Sequence, residues 1–206
     1  MLVEAARHSL GGLASIGGLV RAAIILAILC AATGVVAGTV EDRLPLCYSC
    51  HGDKGESYNP DTPSLGAQMS PYVLIQLYLF REKQRVSEAM NQVAKDLTDG
   101  DLQTLADLIA KMPAPAPASE PSDPAAMALG RSLVERFRCN FCHNADLSGK
   151  ENVPRIASQR EDFLVKTLRE YKSNTRVGYD ASMAEVLQPL SDKDITDLAY
   201  FVSRAP

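Results

Sequence analysis

Cys47-Tyr48-Ser49-Cys50-His51 and Cys139-Asn140-Phe141-Cys142-His143 are the two stretches on which the reading of this chain turns, and they stand 92 positions apart. Outward from each, the same residues return in nearly the same register. Pro63 and Gln68 recur as Pro154 and Gln159, and Met90 recurs as Met183. Leu97-Thr98-Asp99 recurs as Leu190-Ser191-Asp192, and Leu105-Ala106 as Leu198-Ala199. The offsets stay between 91 and 93. An ordered series in near-constant register marks a duplicated unit. Between the copies, residues 113–124 read PAPAPASEPSDP, five prolines in twelve positions. That composition favours extended, semi-rigid backbone and marks a boundary. The organisation expected is a first unit over 38–112, a linker over 113–124 and a second unit over 125–206.

The spacing within each motif has a chemical reason. Two residues between the thiols let both sulfurs reach the two vinyl groups of one porphyrin. The residue that follows then falls beneath the iron, where an imidazole can coordinate it. This is the attachment motif of c-type haem. A dithiol redox pair has no need of the following histidine, and a zinc site wants four ligands close together. A disulfide at each pair would suit an oxidising compartment. Repetition in register favours haem. Cys47, Cys50, Cys139 and Cys142 are then the covalent anchors, and His51 and His143 the first axial ligands.

The sixth ligand follows by elimination. The only histidine outside the motifs is His8. Methionine is the other common axial ligand of a c-type electron carrier. Met183 is the only methionine after Cys139, and of Met69, Met90 and Met112 in the first half only Met90 shares its register. The histidine-to-methionine separations are 39 and 40 residues. The expected iron ligands are therefore His51 with Met90 and His143 with Met183, while Met69 and Met112 fill core space. Two protein ligands per iron leave no place for substrate, which points to electron transfer.

The 206 residues are 46% hydrophobic and 22% charged with a net charge of −4. There is no basic excess, so nucleic acid is not expected as a partner. Units of roughly 70–80 residues are small for a self-sufficient core; a large prosthetic group in each would complete it. The pattern is helical throughout, with no convincing strand pair. Ser70-Pro71 reads as the cap and first turn of a helix whose inward face carries Leu74, Leu77 and Tyr78. Glu161 or Asp162 opens its counterpart. Thr98 and Ser191 read as N-caps, each with an aspartate three residues on in a capping box. Asp123-Pro124 opens a helix that runs to the second Cys pair. Segments 52–68 and 144–158, rich in Gly, Asn, Asp, Ser and Pro, read as loops.

At the N-terminus, Arg7 and Arg21 precede sixteen uncharged residues from Ala22 to Ala37. Residues 1–37 read as a secretory signal, with Val35 and Ala37 at a cleavage site. The uncharged run continues to Val40, so residues 16–40 also suit an uncleaved anchor. Either way the chain is expected outside the cytoplasm, in the periplasm, soluble or held at the inner membrane. Cys30, inside the apolar run, has no chemistry assigned to it.

CYSCHG, PSLGAQ, QLYLF, Met90 and DGDLQTLADLIAKM return as CNFCHN, PRIASQ, FLVKTLREY, Met183 and SDKDITDLAYFVS. With these, about residues 38–206 resemble the diheme class I c-type cytochromes of the cytochrome c4 type. The resemblance implies an all-α fold of two tandem class I cytochrome c domains, each around one covalently bound haem c. It also implies packing about a pseudo-twofold axis with haem edges facing, and Pro63 and Pro154 carbonyls accepting the N–H of the ligand histidines. Its implied role is electron transfer from a quinol-oxidising complex or dehydrogenase to a terminal oxidase or reductase, with redox proteins as partners. The alternatives are a membrane-tethered cytochrome subunit of a larger complex and a diheme peroxidase, which needs an open sixth position. Two departures stand out. Asn144 replaces the glycine present as Gly52. Residues 38–46 before Cys47 align with residues 130–138 before Cys139. Cleavage after Ala37 would leave the first domain only a stub of its N-terminal helix, with Pro45 inside it, whereas a retained leader would let that helix continue from the membrane segment. Arg81, Lys83 and Arg85, and Lys166, Arg169, Lys172 and Arg176, read either as solvated faces or as charges that guide an acidic partner or balance haem propionates.

Overall fold

The computed structural model describes residues 39–176 and 181–206. The signal or anchor over 1–37 and Cys30 lie outside these, and no helix among the described residues is long and apolar enough to cross a membrane. In the first half, a 3-10 turn over Val40–Arg43 leads into α1 (Leu44–His51), followed by α2 (Ser70–Arg81), α3 (Glu88–Ala94) and α4 (Asp99–Ala110). The second half holds α5 (Pro124–Arg136), α6 (Cys139–His143), α7 (Glu161–Lys172), α8 (Ala181–Leu187) and α9 (Asp192–Arg204). Among the described residues there is no strand, only an isolated bridge between Lys150 and Val153.

Local chemistry sets these boundaries. Thr98 and Ser191 accept from the N–H groups of Asp101 and Asp194, whose carboxylates return to the cap N–H. These are full capping boxes at matched positions. Asp123 caps α5 ahead of Pro124. Ser70 is a correction: Met69 occupies the cap of α2, and Ser70, one residue inside, donates from Oγ to Asp107 Oδ1 at 2.6 Å, tying α2 to α4. The buried face of α2 also differs from expectation. Val73, Leu77 and Phe80, at helical spacing, go inward, while Tyr78 turns out with the Arg81 guanidinium 5.4 Å from its ring centre.

The described residues form two hydrophobic cores, one per repeat. The first gathers Val73, Leu77, Phe80, Leu97, Leu102, Leu105 and Ile109. The second gathers Leu133, Val134, Leu164, Leu190, Ile195, Leu198 and Val202. In the second, α5 crosses α9 at Gly130, where a Cβ would lie 2.3 Å from Cβ of Phe201. Only glycine permits that approach. In the first, among the described residues, the short Val40–Arg43 turn packs on α4 in that place. The proline-rich segment is fastened along α9: Ala118 N–H donates to Ser203 O, Asp123 N–H to the Tyr200 hydroxyl, and Glu120 lies 3.7 Å from Arg204.

Candidate functional site

A cavity of about 740 Å³ runs between the halves, and Cys47, Cys50, His51, Met90, Cys139, Cys142, His143 and Met183 all line it. The last turn of α1 and the whole of α6 carry the motifs. On a helix the thiols at i and i+3 share one face, and the histidine at i+4 lies beside the first. Cys50 and Cys142 are exposed and Cys47 and Cys139 half-buried, and no disulfide joins any of the four. Burial pushes the Cys47 and Cys139 thiols up. A redox-active pair needs the opposite shift. Nor is there, among the described residues, a cluster of three or more His, Cys, Asp or Glu able to hold a metal ion by themselves.

Both motif histidines are buried, and Nδ1 lies 2.8 Å from Pro63 O for His51 and 2.8 Å from Pro154 O for His143. A carbonyl only accepts, so Nδ1 carries the proton and Nε2 the lone pair. That is the tautomer a metal ligand requires. Burial pulls the His51 imidazole below its ordinary value and the Pro63 hydrogen bond only partly opposes it, so the ring is neutral. Met90 on α3 and Met183 on α8 are half-buried on the cavity wall. Ser87 caps α3 by accepting from Met90 N–H. Met69 caps α2, and Met112 packs against the first core; neither borders the cavity.

The backbone after each histidine turns alike, with φ of 77° at Gly52 and 68° at Asn144. The Asn144 carboxamide donates to Gly149 O at 2.6 Å, which holds a conformation glycine adopts without help. Thus the departure from glycine changes the residue and keeps the turn. Paired thiols on one helical turn, a buried histidine whose Nδ1 is held by a proline carbonyl and a thioether, all present twice around one cavity, fit two haem c groups.

The basic sets fare differently. Arg81 pairs with Asp99 at 2.8 Å and donates to Leu97 O. Lys172 donates to Gln188 O and Leu190 O, Arg169 lies 3.6 Å from Asp192, and Lys166 lies 3.9 Å from Asp61 in the other half. Each of these cations has a partner within the chain, while Lys166 and Arg169 stay about half exposed. Arg85 and Arg176, register equivalents, sit on the cavity from opposite halves. Burial first, and Arg176 second, push the Arg85 guanidinium down to about 10, and its NH1 donates to Gln76 Oε1. Arg176 pairs with Glu170 at 3.0 Å.

Several hydrogen bonds join the halves, two sets of them from the repeated glutamines. Gln68 bonds the backbone of Arg155, and Gln159 bonds that of Ser64. Arg160 donates to Ser57 O and Asp162 accepts from Asp61 N–H.

No protein-family model matches the chain. Cytochrome c4 of Thiocapsa roseopersicina is 27% identical over 168 residues, 76% of this chain and 85% of that protein. The crystal structure of reduced cytochrome c4 from Pseudomonas stutzeri superposes with a TM-score of 0.73 at 25% identity, covering 82% of this chain and all of that one. The chain belongs to the diheme cytochromes of the cytochrome c4 type. A further relative, the thiosulfate dehydrogenase electron acceptor of Thiomonas intermedia, is 29% identical over 78% of each chain. This cytochrome carries two covalently bound haem c groups and is an electron-transfer protein, not an enzyme. Each haem, when bound, supplies a one-electron iron couple; the chain's own residues anchor it, fix the imidazole and keep water from the core.

Proposed function

We propose that this cytochrome is a periplasmic electron shuttle in which Cys47 and Cys50 anchor one haem and Cys139 and Cys142 the other, with His51–Met90 and His143–Met183 as the axial pairs. The observation that carries this is the shared cavity, which takes in all eight side chains and neither Met69 nor Met112. With both axial positions filled by the protein, each site stores and passes one electron and binds no substrate. The domains are residues 38–112 and 125–206, joined by 113–124, and residues 1–37 direct export, either cleaved or kept as an anchor.

The donor is a quinol-oxidising complex or a dehydrogenase and the acceptor a terminal oxidase or reductase. A dehydrogenase donor is favoured by the resemblance to the thiosulfate dehydrogenase electron acceptor. Rapid mixing of the oxidised cytochrome with each candidate donor and its substrate tests this. A true donor reduces both haems at a saturable, salt-sensitive rate. Slow reduction by every donor, with fast catalytic reoxidation of the reduced cytochrome by hydrogen peroxide, would contradict it.

A further inference from the structure

Gln68 and Gln159 stand at equivalent positions, both buried, and each reaches into the opposite half. Gln159 Oε1 accepts from Ser64 N–H at 2.7 Å while its Nε2 donates to Ser64 O at 2.9 Å. Gln68 does the same to Arg155, at 2.7 and 3.0 Å. Ala67 and Ser158, the residues before them, have φ of 50° and 56°. Non-glycine residues rarely adopt that backbone. Its repetition shows that both loops are bent to the same end, and each bend places its glutamine at the other half's loop.

What the glutamines grasp is specific. The N–H of Ser64 belongs to the same planar peptide as the carbonyl of Pro63. That carbonyl accepts Nδ1–H of His51. Likewise the N–H of Arg155 shares its peptide with the Pro154 carbonyl, which accepts from His143. Each half therefore contains one continuous chain: imidazole N–H to proline carbonyl, through one peptide, from its N–H to a glutamine of the other half. Hydrogen bonds in series polarise one another. A peptide whose N–H is engaged is a stronger acceptor at its carbonyl. The carbonyl in turn raises the basicity of the imidazole it orients.

We propose that Gln68 and Gln159 are crossed positioning residues: Gln159 tunes the haem held by His51, and Gln68 tunes the haem held by His143. The proposal rests on the axial roles given to the two histidines above. A more basic imidazole favours the ferric state, so the glutamines hold both potentials down. Docking of the halves is thereby written into each haem's potential, and any partner that shifts the halves against each other shifts both.

The test uses the full-length diheme protein with Gln159→Met and Gln68→Met, which keep length and lose the amide. Gln159→Asn and Gln68→Asn, which keep the amide and lose reach, carry the same comparison if the Met variants load haem poorly. Two readouts are taken: the separate midpoint potentials, and solvent exchange of each imidazole Nδ1 proton by NMR. In Gln159→Met the first haem's one-electron equilibrium shifts toward reduction by up to about tenfold, about 59 mV, and the His51 proton exchanges faster. Gln68→Met does so for the second haem and His143. Low-spin spectra of the unaltered protein test the ligation reading separately. With those in place, unmoved potentials, equal movement of both, or movement confined to the substituted half overturns the crossed assignment.

Discussion

Lys172→Met should loosen the second haem's methionine without touching the first. Lys172 Nζ donates to Gln188 O at 2.9 Å and Leu190 O at 2.5 Å, and Gln188 Nε2 returns a bond to Lys172 O at 3.0 Å. These carbonyls lie just past α8, the short helix that bears Met183. The lysine thus fastens α8 to the end of α7. Hydrogen bonds from a charged donor contribute about 1.5–3 kcal/mol each when protected. One of these two is exposed and the other partly buried, so the pair together is set at about 2 kcal/mol. At about 1.4 kcal/mol per tenfold, the population with α8 detached rises about 30-fold. The assay is titration of the oxidised protein with imidazole, which binds where the methionine has left. Apparent affinity scales with the competent fraction, so the second haem's dissociation constant should fall about 30-fold. The first haem keeps its own fastening, Arg81 NH1 to Leu97 O at 3.1 Å, and should not change. Unaltered affinity, or an equal change at both haems, would refute the reasoning.

Met183→His should keep the second haem low-spin while lowering its potential, because two imidazoles stabilise the ferric state more than one imidazole and a thioether; Met69→Leu should leave both spectra unchanged. Ile195→Ala, at a fully buried position of the second core, should cost about 2–5 kcal/mol, read as a lowered denaturation midpoint followed through the second haem. Asp162 is held below the ordinary carboxylate range: burial opposes this, but the Arg160 side chain and the N–H groups of Phe163 and Asp61 outweigh it. With its folded pKa depressed, its stabilisation is whole above the unfolded value of about 3.9 and is lost as pH falls through the folded one. The difference in melting temperature between the unaltered protein and Asp162→Asn should therefore shrink on acidification; a constant difference would show that Asp162 makes no charge-dependent contribution.

The motif pairs, the register-matched methionines and the helical class were legible because each is a local pattern: a spacing, a cap, an offset. Thr98 and Ser191 show it well, since a capping box is complete within four residues. Tyr78 was misplaced because hydrophobic spacing alone does not fix a helix's phase, and Phe80 fills the inward position more completely. Arg81 and Lys172 looked like surface charge because their acceptors are backbone carbonyls some sixteen residues away in sequence, which no composition reveals. The burial of Arg85 and the crossed reach of Gln68 and Gln159 depend on how the two halves meet. The only sign in the sequence was that both glutamines survived duplication in register.

The most direct measurement is a proton NMR spectrum of the fully reduced protein. A methionine methyl held against haem iron lies under the ring current and is shifted far upfield as a three-proton line. The account predicts two such lines, one lost in Met90→Leu and the other in Met183→Leu. A single line or none, or a line that survives both substitutions and vanishes in Met69→Leu or Met112→Leu, would contradict it.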